Sequence, residues 1–265
     1  KRNWKDFERR LPSVYERLDK QKINYSKAFY DLKATVIPTD NYEGVLWKIE
    51  SKNSNGKIKW TPSLLSSYVE DYSQPLLIKE NTDRMAMLVS GGKQLSSVTQ
   101  KFFFNKATGK KITLITPADK KYPGDGAFTL VNGVQNEMGL NRSTEFLGFS
   151  GTDMEAVIDL KTETDISKIT LHVLDQNGSW IYLPKQIEVT YLPNYDITDE
   201  VLKNAPKEIK AIDPVKDKGI KTITVESKQK CRYVKVVARN FGIIPSGNAG
   251  AGNPAWLFVD EIEVN

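Results

Sequence analysis

Cysteine and histidine are almost absent from this sequence, which has one of each. With Cys231 alone, the chain cannot form an intramolecular disulfide or a metal site of paired cysteines. Because Cys231 lies in an apolar strand pattern, we expect a buried and inert thiol. With His172 alone, histidine triads and multi-histidine metal sites are excluded. No apolar run is long enough to cross a membrane, so no membrane span is predicted.

Charge of one sign is not concentrated anywhere along the chain. The 265 residues include 38 basic and 33 acidic side chains, for a formal net charge of +5, and the lysines are scattered. This pattern does not favour a nucleic-acid partner. Charged residues make up 27% of the chain and hydrophobic residues 39%. Such a balance excludes wholesale disorder and predicts a globular protein.

An amphipathic helix opens the chain. Apolar residues recur at spacings of three and four from Trp4 to Leu18, with charged residues between them. We expect this helix to end near Lys22 and to kink or restart at Pro12, which lacks a backbone donor. The chain begins at Lys1 rather than at methionine, inside the helical pattern. We therefore expect it to be part of a longer protein.

The rest of the chain is predicted to be β-structure, because the hydrophobic period changes from about 3.6 to about 2 near residue 33. The region 33–106 is predicted as a small antiparallel sandwich. Its predicted strands are 44–50, 57–61, 75–79, 84–89 and 96–105. The polar stretch 106–111 is a predicted hinge.

The region 111–265 is predicted as a jelly-roll-like sandwich, whose loops gather at its ends and can carry a binding site. Its predicted strands are 156–160, 166–174, 186–192, 221–226, 233–239 and 257–264. The predicted fold class is therefore all-β, with a small antiparallel sandwich followed by a larger jelly-roll sandwich and one N-terminal amphipathic helix.

Five stretches of the last region occur in the order found in one known family. They are 128–133, 149–160, 180–184, 232–236 and 255–264. In these stretches the region resembles the galactose-binding-like sandwich of the C domains of coagulation factors five and eight, of discoidin and of family-32 carbohydrate-binding modules.

The first hundred residues resemble a second family. Phe7–Pro12, Glu16–Asp19 and Asn24–Tyr25 are similar to the end of the catalytic barrel of glycoside hydrolase family 20, the chitobiase-like β-N-acetylhexosaminidases. The stretch 56–61 is similar to a strand of the small β-domain that follows this barrel in bacterial members. The resemblance implies three parts, which are a barrel helix (1–32), a small fibronectin-III-like β-domain (33–106) and a galactose-binding-like sandwich (111–265). It also implies a secreted, periplasmic or cell-surface bacterial protein, with the upstream barrel as a partner.

Catalysis by this chain is not expected. The family resemblance implies a catalytic Asp-Glu pair upstream of Lys1. Two such pairs occur here, but Asp199-Glu200 lies in a polar loop or at the start of a short helix. In the other pair, Asp260-Glu261, the strand period directs neighbouring side chains to opposite faces. We therefore predict no catalytic residue and no enzyme activity for this chain.

A structural calcium ion is a further implication of the sandwich resemblance. By position in the family pattern, the ligands are Asn132, Thr144 and Glu261, and calcium prefers such an oxygen shell. The alternative is a site without metal, with an Asx turn at Asn132 and a solvated Glu261.

Sugar recognition needs an aromatic face and polar groups that reach neighbouring hydroxyls. The candidate carbohydrate-binding residues lie in predicted loops. They are Arg142, Asn177, Trp180, Arg239, Asn240, Phe241 and Asn248. Trp180 is either a stacking platform or a core residue, whereas Trp256 is expected in the core. The glycine-rich loop after Phe241 is either a ligand edge or a long connection.

The predicted function is that of a non-catalytic accessory region of a β-N-acetylhexosaminidase. Its sandwich would bind glycans that end in galactose, N-acetylgalactosamine or N-acetylglucosamine, and would position the enzyme on them. The alternative is a structural brace or oligomerisation domain with no sugar site. A binding module predicts that Trp180 or Phe241 is exposed at one loop end, and a brace predicts that both are buried.

Overall fold

The computed structural model describes residues 3–53, 56–213 and 218–265. It confirms the predicted all-β class with one N-terminal helix. The helices are α1 Trp4–Lys20 and α2 Asp199–Asn204. The strands are β1 Leu32–Pro38, β2 Val45–Ser51, β3 Lys57–Thr61, β4 Glu70–Asp71, β5 Leu76–Ile78, β6 Thr82–Ser90, β7 Lys93–Phe102, β8 Lys111–Leu114, β9 Leu147–Ser150, β10 Met154–Asp175, β11 Gln186–Leu192, β12 Lys207–Ala211, β13 Gly219–Arg239 and β14 Trp256–Val264. None of the helices in these ranges combines the length and apolar character needed to cross a membrane.

Helix α1 begins at a side-chain cap. The Asn3 side chain accepts a hydrogen bond from the backbone N–H of Asp6, whose carboxylate lies in the first turn. Both features favour a helix start, because the first N–H groups lack partners and carry a partial positive charge. The helix continues through Pro12 without restarting and ends at Lys20, close to the predicted end.

The chain contacts separate two compact units. One contains 1–35, 47–76 and 83–100, and the other contains 36–46, 77–82 and 101–265. The smaller unit includes α1 and most of a four-stranded sheet of order β4-β3-β6-β7. The strands β1, β2 and β5 form a three-stranded sheet. The division into three parts at residues 33 and 111 stays a prediction.

The sheet of the larger unit has the order β12-β11-β13-β10-β14-β9, and β8 also pairs with β10. Strands β10 and β13 pair antiparallel along their length, from Met154 opposite Ala238 to Asp175 opposite Gly219. Each of these strands had been predicted as two. A register irregularity between Asp159 and Thr164 marks the bend, so that both ends of the strand pair lie at the same end of the sandwich.

The core of the larger unit is built by alternation along these strands. Inward side chains from both halves of β10, such as Ile158 and Leu171, belong to one buried cluster. Ala107 belongs to the same cluster and is completely buried, so the prediction of a hinge at 106–111 is wrong. The stretch was polar in composition, yet its alanine packs inside the sandwich. Cys231 is buried as predicted, and burial raises the pKa of its thiol to about 11, which makes it inert.

Candidate functional site

Two connections meet at the end of the sandwich where β10 stops and β11 starts. They are 176–185, between β10 and β11, and 240–255, between β13 and β14. We call this region the loop end. A pocket of about 220 Å³ opens there. Its lining residues are Asp175, Asn177, Tyr182, Leu183, Pro184, Lys185, Ile212, Asp213, Lys218, Phe241, Pro245 and Asn248.

An aromatic wall forms one side of the loop-end pocket. The rings of Tyr182 and Phe241 pack with centroids 4.7 Å apart and planes tilted by 32°. Tyr182 is buried, whereas Phe241 is partly exposed and packs against the buried Ile244. The Lys185 ammonium lies 5.4 Å from the Phe241 ring centroid. The partly exposed Phe241 ring, with this ammonium over it, therefore forms part of the pocket lining.

Charged and amide groups form the opposite side. The buried Asp175 carboxylate accepts a hydrogen bond from Asn177 Nδ2 at 2.8 Å and forms an ion pair with Lys218 Nζ at 2.9 Å. Asn177 Nδ2 also donates to the carbonyl of Ile181. These bonds fix the amide of Asn177 at the pocket wall, because its Nδ2 group already donates to both acceptors.

Asn240 fixes the base of the second connection instead of facing the pocket. It is buried, and its Nδ2 donates to the carbonyls of Phe149 and Ala255 at 3.2 Å each. Its Oδ1 accepts the N–H of Gly242, and its own N–H donates to Asp153. Both polar atoms of its side chain therefore bond to the protein itself and hold the base of the connection.

Trp180 is 38% exposed, which lies between the two alternatives of platform and core residue. Its backbone is left-handed, with φ 66°, an uncommon conformation for a residue with a side chain. Gly250 packs against the indole so closely that a Cβ there would come within 2.4 Å of Trp180 ring atoms. The indole therefore supports the loop that contains Asn248. Trp256 packs edge-on against Tyr122, in a partly buried cluster, as expected.

The two candidate arginines do not line the pocket. Arg239 forms a bidentate pair with Glu188 at 2.7 and 2.9 Å, and also an ion pair with Asp153 at 2.9 Å. Its hydrogen bonds with Glu188 and Asp153 raise the pKa of its guanidinium. Arg142 is exposed and pairs with Glu145 at 3.3 Å.

Of the seven predicted sugar-binding residues, the pocket brings together Asn177, Phe241 and Asn248. Sequence reasoning missed Lys185 and Tyr182. The signal available was position, because Tyr182 lies within the stretch 180–184 singled out above and Lys185 follows it directly. Their partner in the pocket, Phe241, is far away along the chain. The pairing of β11 with β13, which places Gln186 opposite Arg239, shows that they meet.

The three candidate calcium residues have different surroundings. Asn132 forms an Asx turn, since its Oδ1 accepts the N–H of Val134 at 2.7 Å. Thr144 is exposed. Glu261 is completely buried, and its two oxygens accept the N–H of Gly133 at 3.2 and 3.3 Å. The Asx turn at Asn132 is therefore present and the prediction of a solvated Glu261 is wrong, whereas the calcium ion itself stays a prediction.

Asp260 and Glu261 face the same loop, so the prediction of opposite faces is wrong. The pairing of β14 with β10 skips Asp260, because His172 is opposite Glu261 and Val173 is opposite Val259. This extra residue is a β-bulge, which interrupts the alternation of faces. Asp260 Oδ2 accepts the N–H of Asn136 at 2.7 Å, three residues from the Gly133 that donates to Glu261.

Burial raises the pKa of both carboxyl groups. The pKa of Asp260 is raised to about 7, and that of Glu261 is raised further by the neighbouring Asp260 charge. Asp260 Oδ1 is buried and has no hydrogen-bond partner among the described residues. An oxygen of this kind, beside a second carboxylate, fits a cation. In the described ranges, however, no group of three or more acidic, histidine or cysteine side chains is arranged for a metal.

Neither Asp-Glu pair is placed for catalysis. Asp260 and Glu261 are closed to solvent, so a glycosidic bond cannot reach them. Asp199 and Glu200 lie in the first turn of α2, as predicted, where carboxylates stabilise the helix start.

No protein-family model matches the chain, and a comparison with curated proteins gives no match. Solved structures similar to the chain include carbohydrate-binding modules. A fucose binding module of Streptococcus pneumoniae aligns with a TM-score of 0.39 and 16% identity, over 61% of this chain and 94% of its own. The lectin domain of lectinolysin, complexed with Lewis B antigen, aligns with a TM-score of 0.39 and 17% identity, over 61% of this chain and 96% of its own. CpGH89CBM32-4 of Clostridium perfringens, in complex with GlcNAc-alpha-1,4-galactose, aligns with a TM-score of 0.36 and 14% identity, over 61% and 93%.

Proposed function

We propose that the larger unit is a non-catalytic carbohydrate-binding module and that the loop-end pocket is its glycan site. The observation that carries the proposal is one pocket lined by the partly exposed Phe241 ring together with Lys185, Asn177 and Asn248. A sugar ring presents an apolar face and a rim of hydroxyls, so it needs this combination of an aromatic surface and directed polar groups.

The geometry gives each group a role. The Phe241 ring packs against the apolar face of the sugar, because Tyr182 holds it from behind. Lys185 donates to a hydroxyl at the edge of the ring, and the amide of Asn248 serves as donor and acceptor for a neighbouring hydroxyl. The volume of about 220 Å³ accommodates one terminal sugar residue, such as galactose, N-acetylgalactosamine or N-acetylglucosamine.

The larger protein in this proposal is a secreted or surface β-N-acetylhexosaminidase of a bacterium. The support is the order of sequence stretches in 7–25 and 56–61 that are similar to that family. Tethering to a catalytic barrel would raise the local substrate concentration even for a site with a Kd of about 1 mM. A brace requires both rings to be buried, whereas Trp180 and Phe241 are partly exposed at the loop end.

Calorimetric titration with the three sugars tests the glycan site. We expect saturable heat with at least one of them, and Phe241→Ala should weaken its binding about 10-fold or more, equivalent to at least ~1.4 kcal/mol. Asn248→Ala should also weaken binding, and because Asn248 is exposed this variant will fold.

Tyr68→Ala is the matched control, because Tyr68 is an exposed aromatic residue of the smaller unit. Absence of heat with all three sugars up to tens of millimolar, or equal weakening by Tyr68→Ala, would contradict the proposed site and favour the brace.

We also propose a structural calcium ion beside Glu261. Its support is the unpartnered Asp260 Oδ1 next to the buried Glu261 carboxylate. An ion there would neutralise two buried charges that are otherwise costly. In the family pattern, Asn132, Thr144 and backbone carbonyls would supply the other oxygen ligands.

Thermal unfolding with calcium and with chelator tests the ion. At 100 times its Kd, calcium should stabilise the chain by about 2.7 kcal/mol. Glu261→Gln should remove this response, and magnesium should reproduce it poorly because it needs a smaller, octahedral site. An identical melting temperature with calcium and with chelator would exclude the ion.

A further inference from the structure

A second cleft lies on the outer face of the large sheet, the face opposite the core. It has a volume of about 420 Å³. Its lining residues are Lys111, Thr113, Val157, Asp159, Tyr195 and Tyr233. None of them lines the loop-end pocket. We call this region the outer-face cleft.

The floor of the outer-face cleft is apolar. Ala156 and Ile158 belong to the core cluster, so the alternation of β10 directs Val157 to the outer face. Val157 is nevertheless only 1% exposed. Its side chain is covered by neighbours on its own face.

Two tyrosines form the wall. Tyr195, in the connection after β11, is 49% exposed and lies edge-on to Tyr233 with centroids 5.8 Å apart. The Arg232 guanidinium lies over the Tyr233 ring at 4.9 Å. The ring of Tyr195 is therefore the aromatic surface that a ligand can reach.

The charge at the rim is positive. Asp159 is already paired, since its carboxylate accepts hydrogen bonds from Arg232 at 2.8 and 2.9 Å and from the N–H of Lys161 at 2.8 Å. Burial raises the pKa of Asp159, but these hydrogen bonds outweigh burial and lower it, so the carboxylate stays ionised and bound to Arg232.

Lys111 is the remaining charge of the cleft. It lies opposite Asp159 in the pairing of β8 with β10 and is exposed. Burial lowers the pKa of the adjacent Lys110, and Lys161 pairs with Glu43 at 3.3 Å, so the cation that the cleft offers is Lys111 itself.

We propose that the outer-face cleft is a second glycan site, which binds a carboxylate-bearing sugar ring such as a uronic or sialic acid. Tyr195 stacks on the ring, Val157 forms the floor, and the Lys111 ammonium pairs with the sugar carboxylate while Thr113 bonds to a hydroxyl. The volume falls within the range of small-molecule sites, roughly 300 to 1,000 Å³. This site uses other residues than the loop-end pocket, so either can exist without the other.

Amide chemical shifts of the 265-residue chain, titrated with sodium glucuronate, galacturonate or N-acetylneuraminate at constant ionic strength, test this site. At least one of these sugars should shift the amides of Thr113, Asp159 and Tyr195, and neutral methyl galactoside should not. Tyr195→Ala and Lys111→Gln should each weaken this binding about 10-fold, corresponding to ~1.4 kcal/mol. Both side chains are exposed, so these variants will fold.

Phe241→Ala separates the two sites, because it should weaken binding at the loop end about 10-fold or more and leave the outer-face response unchanged. Lys228→Gln is the control for charge, since Lys228 is exposed on β13 and outside the cleft. The second site is overturned if no acidic sugar shifts the three amides, if methyl galactoside shifts them equally, or if Lys228→Gln weakens binding as much as Lys111→Gln does.

Discussion

Two groups of carboxylates in the same sandwich have opposite electrostatics. On the outer face, Glu188 pairs with Arg239, and the hydrogen bond from that arginine lowers the pKa of Glu188 despite partial burial. On β14, Asp260 and Glu261 are completely buried beside each other, and burial raises the pKa of both. The first group consists of satisfied surface pairs, whereas burial in the second group favours the neutral acids, and the His172 charge favours the ionised form of Asp260.

The difference follows from local backbone geometry and not from residue type. Regular alternation keeps Glu188 on the solvent side of β11, where an arginine on the neighbouring strand reaches it. The bulge at Asp260 brings two consecutive carboxylates to one buried loop. One extra residue in the pairing of two strands is therefore enough to bury a carboxylate that would otherwise lie on the surface, and burying its charge costs free energy.

The largest effect is expected for Asp260→Asn in the presence of a chelator. At pH 8 the free energy of unfolding should rise by about 2 to 4 kcal/mol, because a buried charge is removed while the acceptor for the Asn136 N–H is kept. A raised pKa means that Asp260 contributes stability below its unfolded value near pH 4, and that this contribution is lost as the pH rises to about 7. The gain from the substitution should therefore shrink to less than about 1 kcal/mol at pH 4.

Urea unfolding of both proteins at pH 4 and pH 8 measures this change. His172 lowers the pKa of Asp260 and Glu145 raises it, so both residues are left unchanged in the comparison. Equal differences at the two pH values would show that Asp260 does not titrate as described, and a lower stability of the variant at pH 8 would show that its charge is compensated.

A smaller effect is expected on the outer face. A double-mutant cycle of Arg239→Ala and Glu188→Ala should give a coupling free energy of about 0.5 to 1 kcal/mol, because the pair is bidentate but partly exposed. The coupling free energy should decrease in 1 M salt, because the screening length there is only about 3 Å. The control pair Lys101 and Glu137 is more exposed on both sides, and should give less than about 0.5 kcal/mol. A coupling free energy of about 3 kcal/mol or more, the cost of breaking a buried pair, would contradict the contrast drawn here between surface and buried carboxylates.

Much of the fold could be predicted from the sequence because it depends on local alternation. The bounds of β3 and β11 match the predicted 57–61 and 186–192, and those of β14 differ by one residue. The bends in β10 and β13 were predicted as breaks, since a polar stretch such as 161–165 interrupts the hydrophobic pattern whether the strand stops or turns a corner. Only pairing across strands distinguishes these two cases.

The candidate site was less predictable for the same reason. Phe241 and Asn248 could be selected by residue type and loop position, but Arg239 and Asn240 have the same signature and are occupied by Glu188 and by backbone carbonyls. Whether a polar side chain is free or engaged depends on groups that lie about 50 to 90 positions away, as Asp153 does from Asn240. A sequence read alone does not contain that information.

Asn240 has a consequence for how the specificity of the loop-end pocket can change. Because this one side chain ties the connection at both Phe149 and Ala255, the anchor is separate from the tip that contains Pro245 and Asn248. The tip therefore lies between two fixed points. One is Ile244, which is buried against Tyr182 and Ala255, and the other is Gly250, which packs against the Trp180 indole. Under the proposed function, replacing the five residues 245–249 would change the sugar preference while the rest of the sequence is kept.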